Sequence, residues 1–192
     1  VTGLTIDRKQ ELERNRWYNI ALSTFYGFED ERINATLNLN YLYKAQRFAR
    51  FRGAGGISTS QLNETNPIGT FLNTMYTLLD EHNFWNYSQK TFGSIEHDIE
   101  LVNGIYLRTE LEYSDRKPLY NNTTYTWINS KDRDFTSNNP LLPGNENVAP
   151  FASSQSLTAN IVLRLRLKQK YYTRPNRKII TGSKYPTLVV NY

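Results

Sequence analysis

Cysteine is absent from the 192-residue chain. Its absence excludes a disulfide framework and any thiolate metal site. It suits the cytosol, and equally a protein that crosses the periplasm unfolded, where stray thiols would be oxidised. Histidine is scarce as well: His82 and His97 stand apart from each other, so no metal site is read from them. Long hydrophobic runs are missing. No stretch approaches the roughly 20 apolar residues that a spanning helix needs, and the mean hydropathy is −0.63. No nucleophile elbow or ordered Ser/His/Asp motif is present. The glycine-rich "RGAGG" of residues 52–56 lacks the following Lys-Ser/Thr of a phosphate loop and lies on a strand. We read it as a place of close backbone packing, strong twist or a bulge. The chain opens on Val1, without a visible signal peptide, and ends at Tyr192 inside a strand-like stretch. A mature or internal segment of a longer protein is therefore expected.

What is abundant is aromatic and amide side chains. Fourteen Tyr and nine Phe accompany many Ile and Thr, which is not the composition of a disordered chain. The net charge of +5 favours anionic partners in general. The excess is spread along the chain and no recognition motif accompanies it, so nucleic acid is not expected as a partner.

The main signal is alternation. In "INATLNLNYLY" (33–43) Ile33, Ala35, Leu37, Leu39, Tyr41 and Tyr43 share one face, and Asn34, Thr36, Asn38 and Asn40 the other. The preceding stretch puts Tyr18, Ile20, Leu22, Thr24 and Tyr26 on one face. Its apolar numbers are even where the next strand's are odd, so an even-membered loop must join them. A six-residue loop at 27–32 sets Tyr26 opposite Ile33 and Tyr18 opposite Tyr41. A third strand covers 47–58, after the connection 44–46.

Residues 66–80 change period. Asn66 can cap and Pro67 suits the first helical position. Ile68, Phe71, Leu72, Met75, Leu78 and Leu79 then follow at helical spacing. A plug, a lid or a partner-binding helix are readings of this element; packing through its apolar stripe is the default. Residues 91–101 and 105–116 make a hairpin, with Asp98 facing Arg108. A two-residue Asn103-Gly104 turn would mix the faces, whereas a three-residue loop with Gly104 left-handed restores the parity. Residues 155–171 alternate for longest, and 185–192 form a last strand.

The fold class expected is all-β: an antiparallel meander of about seven or eight strands, with one short helix in a connection. The chain reads as a single segment over 1–192. Three strands occupy 16–58, a helix-bearing connection 59–90, a hairpin 91–116, a long loop 117–153 and the last strands 154–192. Connections of roughly 6, 25 and 38 residues alternate with short ones, the plan of an outer-membrane barrel. The segment is thus expected to form part of a transmembrane outer-membrane β-barrel. Tyr18, Tyr26, Tyr41, Tyr43 and Tyr113 are candidate lipid-interface aromatics. A soluble antiparallel sheet with one wet face gives the same alternation. That alternative is a surface or soluble β-sandwich binding glycan through Trp127, Tyr125 and the long loop.

Several stretches, "NPIGTFLNTMYTLL" (66–79), "ELVNGIYLRTELEYSDRKPL" (100–119), "TSNNPL" (136–141) and "TGSKYPTL" (181–188), resemble a family of large Gram-negative outer-membrane proteins. These join a carboxypeptidase-regulatory-like β-sandwich to a C-terminal β-barrel of unassigned function. The likeness runs over roughly residues 60–192 and lacks the sandwich and the earlier strands. It implies an outer-membrane location and carries over no catalytic residue.

The charged residues fall on the polar faces. Asp98, Arg108, Glu96, Glu110, Arg164 and Arg166 form a candidate lumen charge network, in which opposite charges neutralise one another. Glu100 and Glu112 lie on the same faces, and a divalent-cation or paired-carboxylate hydrolase site is the competing reading. Arg50, Arg52, Arg164, Arg166, Lys168 and Lys170 could instead line an anion-selective lumen. No catalytic residue, cofactor or metal is assigned. The expected function is a non-enzymatic scaffold, transport or assembly component of the outer membrane. Its expected partners are outer-membrane lipid, lipopolysaccharide and other outer-membrane proteins.

Overall fold

A computed structural model describes residues 2–12, 15–28, 31–61, 68–120, 125–128, 135–138 and 152–192. In chain order the elements are β1 (Thr2–Leu12), β2 (Arg16–Gly27), β3 (Arg32–Lys44), β4 (Ala49–Gln61), α1 (Thr70–Asp80), β5 (Tyr87–Val102), β6 (Ile105–Pro118), β7 (Ser154–Arg166), β8 (Lys170–Arg174), β9 (Arg177–Gly182) and β10 (Thr187–Asn191). The fold is all-β and antiparallel. Eight strands form one sheet in the order β1-β2-β3-β4-β5-β6-β7-β10, and β8 and β9 make a separate hairpin. Among the described residues β1 and β10 are edge strands and do not pair with each other.

The register follows the parity of the sequence. Tyr18 pairs with Tyr41 and Tyr26 with Ile33. Because Gly27 also pairs with Arg32, the loop is shorter than six residues but still even. Asp98 pairs with Arg108. The hairpin restores its faces differently from expectation. Val102 pairs with Ile105 around a two-residue turn, and the extra residue is absorbed by a shift between Glu100 and Val102, leaving Leu101 as a bulge. Gly104 is left-handed, with φ of 85°.

Three elements differ from the sequence reading. Residues 2–12, polar and charged in sequence and assigned no strand there, form β1 and pair with β2 along their whole length. The long alternation of 155–171 is broken after Arg166, and β8 then starts a hairpin of its own. The helix starts at Thr70 after Gly69; Asn66 and Pro67 lie outside the described residues. Its orientation is also reversed. Phe71, Leu72, Tyr76 and Leu79 are exposed, while Asn73 is buried. Of the apolar stripe, Phe71, Leu72 and Leu79 point outward while Ile68, Met75 and Leu78 are half-buried, and Asn73 packs.

The sheet itself is inverted in the same sense. One face carries Leu4 and Ile6 of β1, Ile20 and Leu22 of β2, and Leu37 and Leu39 of β3. It continues through Ile57 of β4, Ile95 of β5, Leu111 of β6, Leu157 and Ile161 of β7, and Leu188 and Val190 of β10; all of these are exposed. Among the described residues the buried hydrophobics are Ala49, Leu119 and Phe135, whereas the largest fully buried side chains are Asp98, Ser88 and Ser114. A water-soluble sheet buries its apolar face against a second layer; here the polar face is the covered one.

The β8–β9 hairpin does part of that covering. It leaves the sheet after β7, yet β9 reaches the short 3₁₀ turn Ala45–Arg47 between β3 and β4. Asn15 Nδ2, in the turn after β1, donates to Pro175 O at the hairpin tip, at 3.1 Å. A hairpin rooted beside β7 can touch the turn between β1 and β2 because the sheet curls round it. The polar face is therefore concave. The hairpin closes over the end that carries the short connections 13–15, 45–48 and 103–104; the opposite end carries 28–31 and the long connections 62–86 and 119–153.

Candidate functional site

The concave face is read row by row from the ladder. Arg50 pairs with Asp98, and Asp98 with Arg108; in the next row Arg52 pairs with Glu96, and Glu96 with Glu110. Strand alternation puts all six side chains on one face, and the short spacing between strands brings them within hydrogen-bond reach.

Asp98 is the centre of the cluster and has no exposed surface. Its Oδ2 accepts from Arg50 Nη2 at 2.8 Å and from Arg52 Nη2 at 2.7 Å. Its Oδ1 accepts from Arg108 Nε at 2.8 Å and from the Tyr106 hydroxyl at 2.5 Å. Glu96 is paired with Arg52, and with Arg108 Nε at 2.9 Å. Three guanidiniums thus share two carboxylates. A buried carboxylate without partners would be prohibitively desolvated, and this one is saturated with charge-assisted donors. The cluster is built to hold three strands, β4, β5 and β6, in one register.

The six candidate network residues do not all meet. Asp98, Arg108 and Glu96 are joined, together with Arg50, Arg52 and Tyr106. Glu110 sits across from Glu96 in register. Arg164 lies over the Tyr106 ring, 5.6 Å from its centroid, and Arg166 Nε donates to Thr187 Oγ1 at 3.1 Å. Among the described residues no carboxylate lies within ion-pair distance of Arg164 or Arg166. Glu112 is paired instead with Lys90 at 2.6 Å.

A second buried pair fastens the hairpin. Lys178 of β9 is ion-paired with Glu100 of β5, and both are almost fully buried. Gln169 Nε2 donates to Glu100 Oε1 at 2.7 Å, and Gly104 N donates to the same oxygen at 3.1 Å. Asn103 Nδ2 donates to Gln169 O at 2.8 Å, and Lys178 Nζ donates to Asn103 Oδ1 at 2.8 Å. Lys178 carried no signal in the sequence, since its partner lies 78 residues away.

At the other end a knot of amides accompanies the buried Leu119 and Phe135. Asn138 Nδ2 donates to Tyr87 O and to Leu119 O, both at 2.6 Å, and Tyr87 N donates to Asn138 Oδ1 at 2.7 Å. Asn73 of α1 donates to Asn83 Oδ1 at 3.0 Å and accepts from Phe84 N at 2.9 Å. Asn83 N donates to Thr136 Oγ1 at 2.6 Å. These bonds explain the reversed helix. Its Asn73 face has hydrogen-bonding partners to satisfy, whereas of its outward residues Tyr76 packs edge-on against Phe84.

The candidate interface aromatics lie on the convex apolar face at its two ends. Tyr18, Tyr41 and Tyr43 are near the short-turn end, where Tyr43 stacks on Phe51 and its hydroxyl meets His97 Nε2 at 2.7 Å. Tyr26 and Tyr113 are toward the other end, and Tyr26 packs edge-on against Phe28. Ile33 and Tyr41 of β3 are eight residue steps apart, on the order of 26 Å of strand.

Residues 1–192 match the model of a family of unknown function, the DUF5686 C-terminal domain, and the chain belongs to that family. No curated protein and no solved structure match it.

Proposed function

We propose that this member of the DUF5686 C-terminal domain family is a non-enzymatic stretch of an outer-membrane β-barrel. It would act as a scaffold, transport or assembly component in contact with lipid, lipopolysaccharide and neighbouring outer-membrane proteins. The observation that carries the reading is the inversion. Apolar side chains are exposed across all eight strands of one face, while fully buried Asp98, Ser88 and Ser114 lie on the other. A contiguous exposed apolar surface of this extent marks a membrane or an interface.

Three further features support it. Several strands are 12–16 residues long, more than the roughly 9–11 residues that a tilted strand needs to cross a bilayer. Aromatic residues flank the apolar band at both ends, as girdles do. The sheet is open at β1 and β10, and a lipid-exposed edge must be paired, so further strands would close the barrel. The joining of the barrel to a carboxypeptidase-regulatory-like domain belongs to the same proposal.

Membrane fractionation of the full-length protein tests it. The expected result is recovery with the outer membrane, extraction by detergent alone, and a gel mobility that shifts on heating. Recovery as a monomer in plain buffer would overturn the proposal. It would favour the glycan-binding sandwich, for which the exposed Tyr125 and Trp127 are the supporting observation.

A further inference from the structure

The cluster around Asp98 uses Arg50, Arg52 and Arg108, but it leaves Arg164 and Arg166 out. Those two line a cavity of about 310 Å³ on the concave face, beneath β9. We propose that this cavity binds a phosphomonoester with a small apolar substituent. The inference does not rest on the membrane reading, because the cavity is formed by β3–β7 and the hairpin whatever lies on the convex side.

The charge balance of the walls carries the argument. Arg50 is committed to Asp98 at 2.8 Å, and Glu100 is committed to Lys178. That leaves the two guanidiniums of Arg164 and Arg166 facing the same space, with no carboxylate of the described residues in reach. Like charges two residues apart on one strand face repel each other, and a bound anion removes that cost. A phosphomonoester carries about −1.5 to −2 at neutral pH and matches two guanidiniums; a carboxylate supplies half of that. Guanidiniums also bind phosphate oxygens in pairs of parallel hydrogen bonds.

The geometry holds the donors ready. Arg164 is placed by the Tyr106 ring, and Arg166 by the Thr187 hydroxyl. Both interactions engage one side of the guanidinium and leave further N–H groups to the cavity. Gly104 lets the β5–β6 turn approach β7 at the cavity wall, since a Cβ there would meet the backbone Arg166 O at 2.2 Å. The remaining walls are Leu42, Phe48, Ile180 and Gln169; the amide of Gln169 is committed to Glu100, and the three apolar side chains suit a short hydrocarbon. At about 30 Å³ for each water displaced, the volume admits a phosphate and a few carbons.

Equilibrium titration of the full-length protein in detergent tests the assignment, using butyl phosphate, dihexanoyl phosphatidate, butanol and valerate as probes. Saturable one-to-one binding of a phosphate probe, with butanol and valerate at least about tenfold weaker, is the expected result. It requires no variant. Tighter binding of dihexanoyl phosphatidate assigns a lipid source, and equal or tighter binding of butyl phosphate a soluble one. The double variant Arg164→Gln/Arg166→Gln should lose about tenfold or more, with Lys117→Gln unchanged. A cooperative unfolding transition like that of the unsubstituted protein identifies folded samples of both. Binding of neither phosphate probe, valerate equal to butyl phosphate, or a folded double variant with unchanged affinity would each overturn the proposal.

Discussion

Asp98 and Arg108 face each other across the β5–β6 ladder, with Arg108 Nε donating to Asp98 Oδ1 at 2.8 Å. The carboxylate is also the shared acceptor of Arg50, Arg52 and Tyr106. Asp98→Asn therefore leaves Arg52 and Arg108 with Glu96 alone, and removes the carboxylate paired with Arg50. We expect a loss of about 3–5 kcal/mol, the usual cost of breaking a buried pair from one side. Glu110→Gln, one row away, should cost less than about 1 kcal/mol. Denaturant midpoints of the two variants decide it, and equal shifts would refute the central role of Asp98.

The Lys178–Glu100 pair joins β9 to β5 and is a buried attachment of the hairpin to the concave face. Lys178→Met strands Glu100 as a buried charge, at a cost of about 3–5 kcal/mol. The expected readout is faster proteolysis within 170–182. Adding Glu100→Gln should recover part of the loss, because the orphaned charge is then gone. A cleavage rate that does not change in Lys178→Met would show that other contacts hold the hairpin.

Asn138 satisfies three backbone groups of Tyr87 and Leu119 at once. Asn138→Ala leaves them without that partner, at about 1–3 kcal/mol for each buried group that water cannot reach. The long-loop end should open first. Amide exchange at Tyr87 should accelerate while exchange in the centre of β5 holds; uniform acceleration would mean that Asn138 supports the whole sheet instead.

Leu37 and Asn38 are neighbours on β3 that point to opposite faces, Leu37 to the exposed apolar one. In a bilayer Leu37→Arg costs about 2–4 kcal/mol near the midplane, while Asn38→Arg stays on the wet side. Outer-membrane yield should fall for the first and hold for the second. Equal yields would count against the membrane reading.

Much of this fold was legible because strand parity is a strict constraint. Even apolar numbers in 18–26 and odd ones in 33–43 admit only even loops, and the Tyr18–Tyr41 pair follows. Strand β1 escaped because Arg8 and Gln10 fall on its apolar face, opposite Ile20 and Tyr18, so its alternation is recognised only through its partner. The break after Arg166 carries no Gly or Pro; Lys168 takes the left-handed conformation there, with φ of 48°. The β8–β9 hairpin did leave a signal, Pro175-Asn176 between Tyr171-Tyr172 and Ile179-Ile180, of the kind that marks a tight turn. The helix stripe was real but its direction was not legible, because the amide partners of Asn73 come from other segments. Lys178 was likewise hidden, since its partner Glu100 lies 78 residues away, whereas Tyr106 meets Asp98 within the expected hairpin.

Gly56 lies where β4 passes β3, with φ of 151°, and a Cβ there would meet Ala35 O at 2.0 Å. Backbone cannot yield as a side chain can, so Gly56→Ala must displace one strand from the other. We expect a loss of at least about 1–3 kcal/mol. Gly53 belongs to the same glycine cluster, but its added Cβ would find Leu39 Cβ at 3.8 Å, an ordinary contact. Gly53→Ala should be neutral or slightly stabilising, since alanine restricts the unfolded chain. The pair separates two meanings of the cluster. If strand approach is what requires glycine, Gly56→Ala alone lowers the unfolding midpoint. Similar losses in both variants would instead assign the cluster to sheet twist as a whole.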